Sequence, residues 1–197
     1  MPLVKPLSPD NDPEVQVLSE FFQGPLGFTP NSVLTMQRRP EIAKAFIELN
    51  IAVTTPVHID NQLKRMVGYM ASVASGCRYC QAHLALGSKR FGADEEKVEA
   101  MWEYKTSPLF SDAERAALDF ALAAASVPNA VDDEISSELK RHYSDDAIVE
   151  LLAEVALMGF LNRWNDSMGT ELEDTPKDFA INTLEKSGWK LGKHTEL

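Results

Sequence analysis

Apolar residues recur along most of the chain at intervals of three and four positions. This spacing places side chains on one face of an α-helix. One such stripe consists of Leu63, Met66, Val67, Met70 and Ala74. The alternation of apolar and polar positions that is typical of a half-buried strand is weak throughout. The pattern therefore predicts an all-α protein.

Prolines, glycines and acidic residues divide this pattern into separate helices, because proline and acids favour the first turn and glycine favours the end. We predict helices over 13–22, 30–37, 40–53, 61–74, 78–91, 94–102, 112–126, 132–142, 145–168 and 176–186. Residues 13–186 are predicted to form a single helical domain, in which a recurring helix, Pro-containing turn and longer helix indicate a weak internal repeat. Residues 1–12 are expected to be an extended N-terminal arm. Residues 187–197 are expected to be a C-terminal tail whose end, LGKHTEL, is exposed and loose.

Composition narrows the range of partners. Of the 197 residues, 44% are apolar and 25% charged, a mixture typical of one globular domain. The formal net charge of −11 argues against a nucleic-acid backbone as partner. No apolar run approaches the roughly 20 residues of a membrane span. The N-terminal segment MPLVKPLSPDNDPE has prolines and acids where a signal peptide needs an apolar core. We therefore expect a cytoplasmic protein with no nucleic-acid or membrane partner.

The segment SGCRYCQAH contains the candidate chemistry, because Cys77 and Cys80 are separated by two residues. Helical spacing places both thiols on one face, close enough to form a disulfide with modest adjustment. Cys77 lies where a helix begins, so unpaired backbone N–H groups favour its thiolate. His83 follows Cys80 on the same face and can accept a thiol proton. A thiolate attacks peroxides and disulfides, so the segment predicts redox chemistry.

Other interpretations of the two cysteines stay open at this point. A closed zinc site needs four ligands; the cysteines and His83 supply three, and His58 or a second subunit would have to complete the set. The cysteines can also be inert core residues. A thioredoxin-like fold is disfavoured because no βαβ pattern surrounds the motif. The sequence has no phosphate-binding loop, dinucleotide fingerprint or haem-attachment motif, and we expect neither an organic cofactor nor a metal.

Three blocks of the sequence resemble the carboxymuconolactone decarboxylase-like superfamily, and within it the AhpD-like alkylhydroperoxidase or peroxidase-related branch. The blocks are LGFTPNSVLTMQRRPEIAKAF, ASGCRYCQAH with the following KRFGAD, and MGFLNRWNDSMGTELE. The resemblance implies an AhpD-like helical bundle that assembles into trimers or hexamers. It also implies that Cys80 attacks a small hydroperoxide and that Cys77 then closes a disulfide. A dithiol such as a lipoylated protein would restore the pair.

Two positions depart from the proton relay of the AhpD-like proteins. The glutamate expected twelve residues before the first cysteine is Arg65, and the histidine expected four residues after the second is Leu84. Arginine cannot relay a proton, although its charge can stabilise a nearby thiolate. His83 lies one position before the expected histidine. The usual relay therefore cannot be carried over to this chain.

Three further residues are candidates for a proton relay or for the substrate pocket. Glu154 lies in the apolar run LLAEVALMGFL, where a buried carboxylate with a raised pKa can act as a base. The same residue can instead face out of the bundle or pair with an arginine. Tyr79 can shape substrate access or simply pack. His58 precedes a helix cap and is compatible with a role as a turn residue.

The sequence favours an enzyme, a thiol-dependent peroxidase or disulfide reductase that serves antioxidant defence. The alternative is a non-enzymatic oligomer that senses oxidation or has a structural role, which the altered relay positions support. Lactone decarboxylation is less favoured because that reaction needs no pair of cysteines.

Overall fold

The computed structural model describes residues 2–195, and within that range all regular secondary structure is helical. The ten α-helices are α1 (Pro13–Gln23), α2 (Asn31–Met36), α3 (Pro40–Thr54), α4 (Asn61–Ser75), α5 (Arg78–Arg90), α6 (Glu95–Glu99), α7 (Asp112–Ala125), α8 (Asp133–His142), α9 (Asp145–Met168) and α10 (Asp174–Leu184). Short 3-10 helices at Ala100–Glu103 and Glu185–Ser187 extend α6 and α10. The all-α prediction is confirmed.

Capping side chains explain why the helices begin close to the predicted positions. Asp60 accepts a hydrogen bond from the backbone N–H of Leu63 at the start of α4, and Ser144 does the same for Ala147 at the start of α9. Gly76 and Gly169 end these two helices in the left-handed conformation, with φ of 74° and 63°.

Helix α4 is the centre of the bundle and packs against α5, α7 and α9. Apolar side chains of these helices, among them Val67, Ala71, Leu118 and Leu151, form the main core. A smaller core joins α1, α2 and α3 to α9. The cysteine pair therefore lies at the central contact of the bundle, between α4 and α5. None of the described helices is long and apolar enough to cross a membrane.

Residues near both ends of the described range 2–195 contact the bundle. In the arm, the backbone N–H of Leu3 donates to the carbonyl of Met168 at 2.8 Å. Of the end LGKHTEL, Gly192, Lys193 and Thr195 are exposed as expected, whereas His194 is buried. That this end is loose stays a prediction. Trp189 and His194 are 3% and 1% exposed, because they fold back onto the helices. Residues 196 and 197 lie outside the described residues, and the internal repeat stays a prediction.

Candidate functional site

The turn between α4 and α5 places the two thiols. Gly76 turns the chain in the left-handed region, and Cys77 then becomes the N-cap of α5. Its sulfur accepts the backbone N–H of Cys80 at 3.5 Å, one helical turn on. Both cysteines are free thiols and are buried, at 0% and 2% exposure. The predicted proximity of the pair follows from this cap.

Cys80 lies on the wall of a cavity between α5, α9 and the N-terminal helices. The wall is mainly apolar and includes Phe21, Phe22, Leu26, Phe46, Phe91 and Leu157. The volume open to the centres of water molecules inside the cavity is about 90 Å³. A cavity that holds a single water needs on the order of 10 to 15 Å³ of the same kind of volume. The cavity thus has room for a small organic molecule. Cys77 does not line it.

Glu173 holds two of the polar residues of the cavity wall. Its Oε1 accepts hydrogen bonds from the Tyr79 hydroxyl at 2.8 Å and from the backbone N–H of Asn31 at 2.6 Å. Its Oε2 lies 2.7 Å from Nε2 of His83. Since an ionised carboxylate only accepts, Nε2 of His83 is assigned the proton. One carboxylate therefore fixes α5 against the start of α2 and the loop before α10.

The environment of Glu173 keeps it ionised. Burial alone raises the pKa of this carboxyl, but the charge and hydrogen bond of His83 and the Asn31 N–H outweigh burial and hold the pKa below its ordinary value. Tyr79 behaves in the opposite way. Burial, followed by the nearby Glu173 charge, raises the pKa of Tyr79 well above its ordinary value, so its hydroxyl is a donor.

Aromatic rings fix the orientation of His83 within the site. The ring centroids of Tyr79 and His83 are 4.5 Å apart, and Phe28 meets His83 edge-on at 6.0 Å. With Nε2 bound to Glu173, no group in residues 2–195 forms a hydrogen bond with Nδ1 of His83. His83 is thus an oriented ring with one nitrogen available to accept a proton.

Cys80 itself is a protonated thiol at rest. Burial, and then the hydrogen bond and charge of Cys77, raise the pKa of Cys80 well above its ordinary value. The side-chain amide of Asn165 donates to the Cys80 sulfur at 3.5 Å and acts in the opposite direction. The thiol therefore needs a base before it can attack.

Arg65 and Glu154 form a second charged pair beside the cavity. Arg65 lines the wall, whereas Glu154 is fully buried behind it, with 3.7 Å between Nη1 and Oε1. Burial raises the pKa of Glu154, and the charges of Arg65 and Lys64 only partly oppose this effect. Glu154 therefore does not face out of the bundle: it is buried and pairs with an arginine. Its role as a base stays a prediction.

The predicted site residues are brought together with one exception. Cys80, Tyr79, His83 and Arg65 line the cavity, but His58 is exposed near the start of α4, where its backbone N–H donates to Glu150 at 2.8 Å. It is a turn residue, and its inclusion in the site is corrected. No cluster of three or more potential metal ligands occurs within residues 2–195. The zinc interpretation with a ligand from a second subunit stays open.

Two contributors were missed by the sequence reasoning, Glu173 and Asn165. Glu173 is the last residue of the block MGFLNRWNDSMGTELE, one of the three on which the family resemblance rests. Its position in that block was the signal that could have identified it as a site residue. Asn165 lies beside polar residues that interrupt the apolar pattern of α9.

Comparison with known proteins identifies similar chains. Residues 40–123 match the model of the carboxymuconolactone decarboxylase family. The structure of the debrominase Bmp8 is 37% identical, with a TM-score of 0.87 over 92% of this chain and 97% of that one. A C82A variant of Bmp8, 36% identical to this chain, is known in complex with 2,3,4-tribromopyrrole.

Two further similarities are more distant. YnjA, an uncharacterised protein of Escherichia coli K12, is 30% identical over 110 residues, which span 56% of this chain and 60% of YnjA. An uncharacterised peroxidase-related protein with an alkylhydroperoxidase AhpD core, from Ralstonia eutropha JMP134, has a TM-score of 0.75 at 22% identity over 86% of this chain and 89% of that one. At that identity the likeness shows a shared AhpD-like fold.

Proposed function

The chain belongs to the carboxymuconolactone decarboxylase family and has an AhpD-like fold. From the placement of its cysteines we propose that it is a dithiol reductase of a small organic substrate. Cys80 attacks the substrate and Cys77 closes the disulfide. The observation that carries the proposal is the asymmetry of the pair: Cys80 lines the cavity, whereas Cys77 lies behind it within one helical turn.

A halogenated aromatic ring is the substrate class that we propose first. The cavity wall is rich in phenylalanine, and the similarity to a debrominase extends over almost the whole of both chains. The replacement of the usual relay residues by Arg65 and Leu84 also argues against a reaction that depends on that relay.

The two thiols balance such a reaction without a cofactor. One halogen on the ring is replaced by hydrogen, the ring gains two electrons, and the pair of thiols loses two electrons as the S–S bond forms. The halogen leaves as halide, one thiol proton ends on the ring carbon, and the other accompanies the halide. Attack of Cys80 on the halogen and attack on the carbon lead to the same balance, because Cys77 displaces the group held by Cys80 in either case.

An organic hydroperoxide is the second candidate, favoured by the AhpD-like fold and by the cysteine pair. In that reaction the Cys80 thiolate attacks the terminal oxygen, the O–O bond breaks and an alcohol leaves. Cys77 then displaces water from the sulfenic acid. This version keeps the role in antioxidant defence that the sequence favoured.

His83 is the base that we propose for both reactions. Its Nδ1 is available while Glu173 holds Nε2, and the raised pKa of Cys80 makes such a base necessary. An external dithiol, such as a lipoylated protein, would then reduce the Cys77–Cys80 disulfide. Assembly into a homo-oligomer, trimeric or hexameric, stays a prediction from the resemblance.

The test is turnover with dihydrolipoamide as reductant under anaerobic conditions. Halide release from 2,3,4-tribromopyrrole and consumption of cumene hydroperoxide are measured for the native chain and for Cys80→Ser and Cys77→Ser. We expect multiple turnovers with the native chain, none with Cys80→Ser, and at most one equivalent with Cys77→Ser.

The two substrates separate the proposed versions. Turnover of the bromopyrrole alone supports the first candidate and turnover of the hydroperoxide alone the second. A single equivalent of oxidant consumed by the native chain, with no turnover of either substrate, would favour a redox sensor instead. Activity that is indifferent to both cysteine variants would refute the dithiol mechanism.

A further inference from the structure

Arg65 lies in the wall shared by the apolar cavity and an adjoining groove. The cavity that contains Cys80 and an adjoining groove of about 650 Å³ share Arg65, Phe21, Leu26 and Phe91 in their walls. The groove also contains Arg90, whose Nη1 donates to the carbonyls of Pro25 and Leu26 at 2.8 Å each. Two arginines therefore lie beside the groove, and one of them also lines the cavity, in a chain with a net charge of −11.

The Arg65 guanidinium is poorly satisfied by the protein. It has five N–H donors, yet within residues 2–195 it forms no hydrogen bond. Its one ion-pair partner, Glu154, is 3.7 Å away, which is longer than a hydrogen bond. The guanidinium also lies 5.5 Å from the centroid of Phe91, and the side chain is only 17% exposed. Such a cation in apolar surroundings attracts an anion strongly.

The backbone leaves room for this charged pair. A Cβ at Gly87 would lie 3.2 Å from Cδ of Arg65, and a Cβ at Gly68 would lie 2.9 Å from Oε1 of Glu154. The neighbouring helices α4 and α5 thus have a glycine at the two positions that contact the side chains of Glu154 and Arg65. Both Glu154 oxygens lack a hydrogen-bond partner, so the carboxylate does not occupy the guanidinium donors.

We propose that Arg65 is an anion-binding residue of the substrate site, and that the substrate is a small halogenated aromatic with an acidic group such as a carboxylate. The ring lies against Cys80 and His83, and the carboxylate accepts hydrogen bonds from Arg65. The identity of the ring rests on the proposed function, whereas the anion site rests on Arg65 alone. The same site can receive a second anion, the halide released by the reaction.

Binding to the Cys80→Ser protein tests the anion site without turnover. Calorimetry compares 3,4,5-tribromopyrrole-2-carboxylate with its methyl ester, each against Arg65→Met, Arg65→Lys and the control Arg163→Met on the exposed side of α9. A charge-assisted hydrogen bond corresponds to a factor of about 10 to 100 in affinity. We expect the carboxylate to lose about that factor in Arg65→Met, less in Arg65→Lys and none in Arg163→Met. The ester should change less than about twofold.

A double variant guards against a folding defect. Loss of Arg65 leaves Glu154 buried without its partner, so Arg65→Met/Glu154→Gln removes both members of the pair and should show the same selective loss. Equal affinity of the native protein for carboxylate and ester, or equal losses for both ligands, would overturn the proposal. Two anions are candidates for the Arg65 site, the acidic group of the substrate and the released halide. Binding of bromide, measured by its competition with the ester, distinguishes them. If only bromide binding depends on Arg65, the assignment of an acidic substrate is overturned.

Halide release distinguishes failure of this proposal from failure of the proposed function. If the carboxylate binds through Arg65 but the protein with both cysteines releases no halide from it, the proposal of a halogenated ring as substrate fails and the anion site stands.

Discussion

Replacement of Glu173 by glutamine tests whether one buried carboxylate holds the site together. The change keeps the size of the side chain and removes its charge. The amide oxygen can still accept from Tyr79 and Asn31, but the NH₂ group then faces Nε2 of His83. That nitrogen must become the acceptor, so the proton of His83 moves to Nδ1 and the proposed base is lost.

The expected magnitude follows from the three contacts at 2.6, 2.7 and 2.8 Å. A hydrogen bond to a charged group contributes about 1.5 to 3 kcal/mol and one between neutral groups about 1 kcal/mol. Conversion of three charged contacts to neutral ones should therefore lower the free energy of unfolding by about 1.5 to 6 kcal/mol at pH 7. Urea denaturation measures this value. Glu171→Gln is the matched control, because no hydrogen bond of the Glu171 carboxylate occurs in residues 2–195.

The pH dependence identifies the charge as the cause. The pKa of Glu173 is lowered in the fold from an ordinary value of 4.5. A lowered pKa contributes stability that is fully present above 4.5 and is lost as the pH falls through the pKa of the folded state. The difference between the native chain and Glu173→Gln should therefore be full at pH 7 and shrink in acid below 4.5. A difference that is the same at pH 7 and pH 3.5, or an equal loss in Glu171→Gln, would refute the reasoning.

Three other substitutions should have distinct effects. Asn165→Leu removes the amide that lowers the pKa of Cys80. The rise of the iodoacetamide alkylation rate with pH should therefore shift to higher pH in this variant. Lys64→Met removes a fully buried ammonium, which donates to two backbone carbonyls at 2.6 and 2.8 Å and lies 2.5 Å from the carboxylate of Glu150 in α9. The free energy of unfolding, measured by urea denaturation, should fall by about 3 to 5 kcal/mol. Gly87→Ala should leave stability equal or raise it by up to about 1 kcal/mol, as alanine favours helices, while calorimetry shows weaker binding of the acidic ligand because Arg65 is displaced.

The helices could be predicted because their ends are encoded locally. The bounds of α9, Asp145–Met168, were predicted correctly from an acidic first turn and a terminal glycine. The helix predicted over 94–102 is an α-helix only to Glu99 and continues as a 3-10 helix. The burial of Trp189 could not be predicted because its contact is distant in sequence: its indole N–H donates to the carbonyl of Arg78, 111 positions away.

The same distinction applies to the site. Cys77, Cys80 and His83 lie on one helix, so their proximity follows from helical spacing. Glu173 reaches His83 across 90 positions, and no periodicity connects the two. Arg65 and Glu154 also meet across two helices, α4 and α9. The sequence identified both residues as candidates, but only the packing of these helices shows that one partly satisfies the other.

The two buried carboxylates of the site differ in the number of donors that they meet. Glu173 accepts from three groups and has a lowered pKa, whereas Glu154 accepts from none within residues 2–195 and has a raised pKa. Opposite shifts of this kind assign opposite roles. Glu173 stays ionised and keeps His83 in the tautomer that can take the Cys80 proton. Glu154 stays behind the cavity wall as the ion-pair partner of Arg65, and it leaves the guanidinium donors to the anion proposed for that residue.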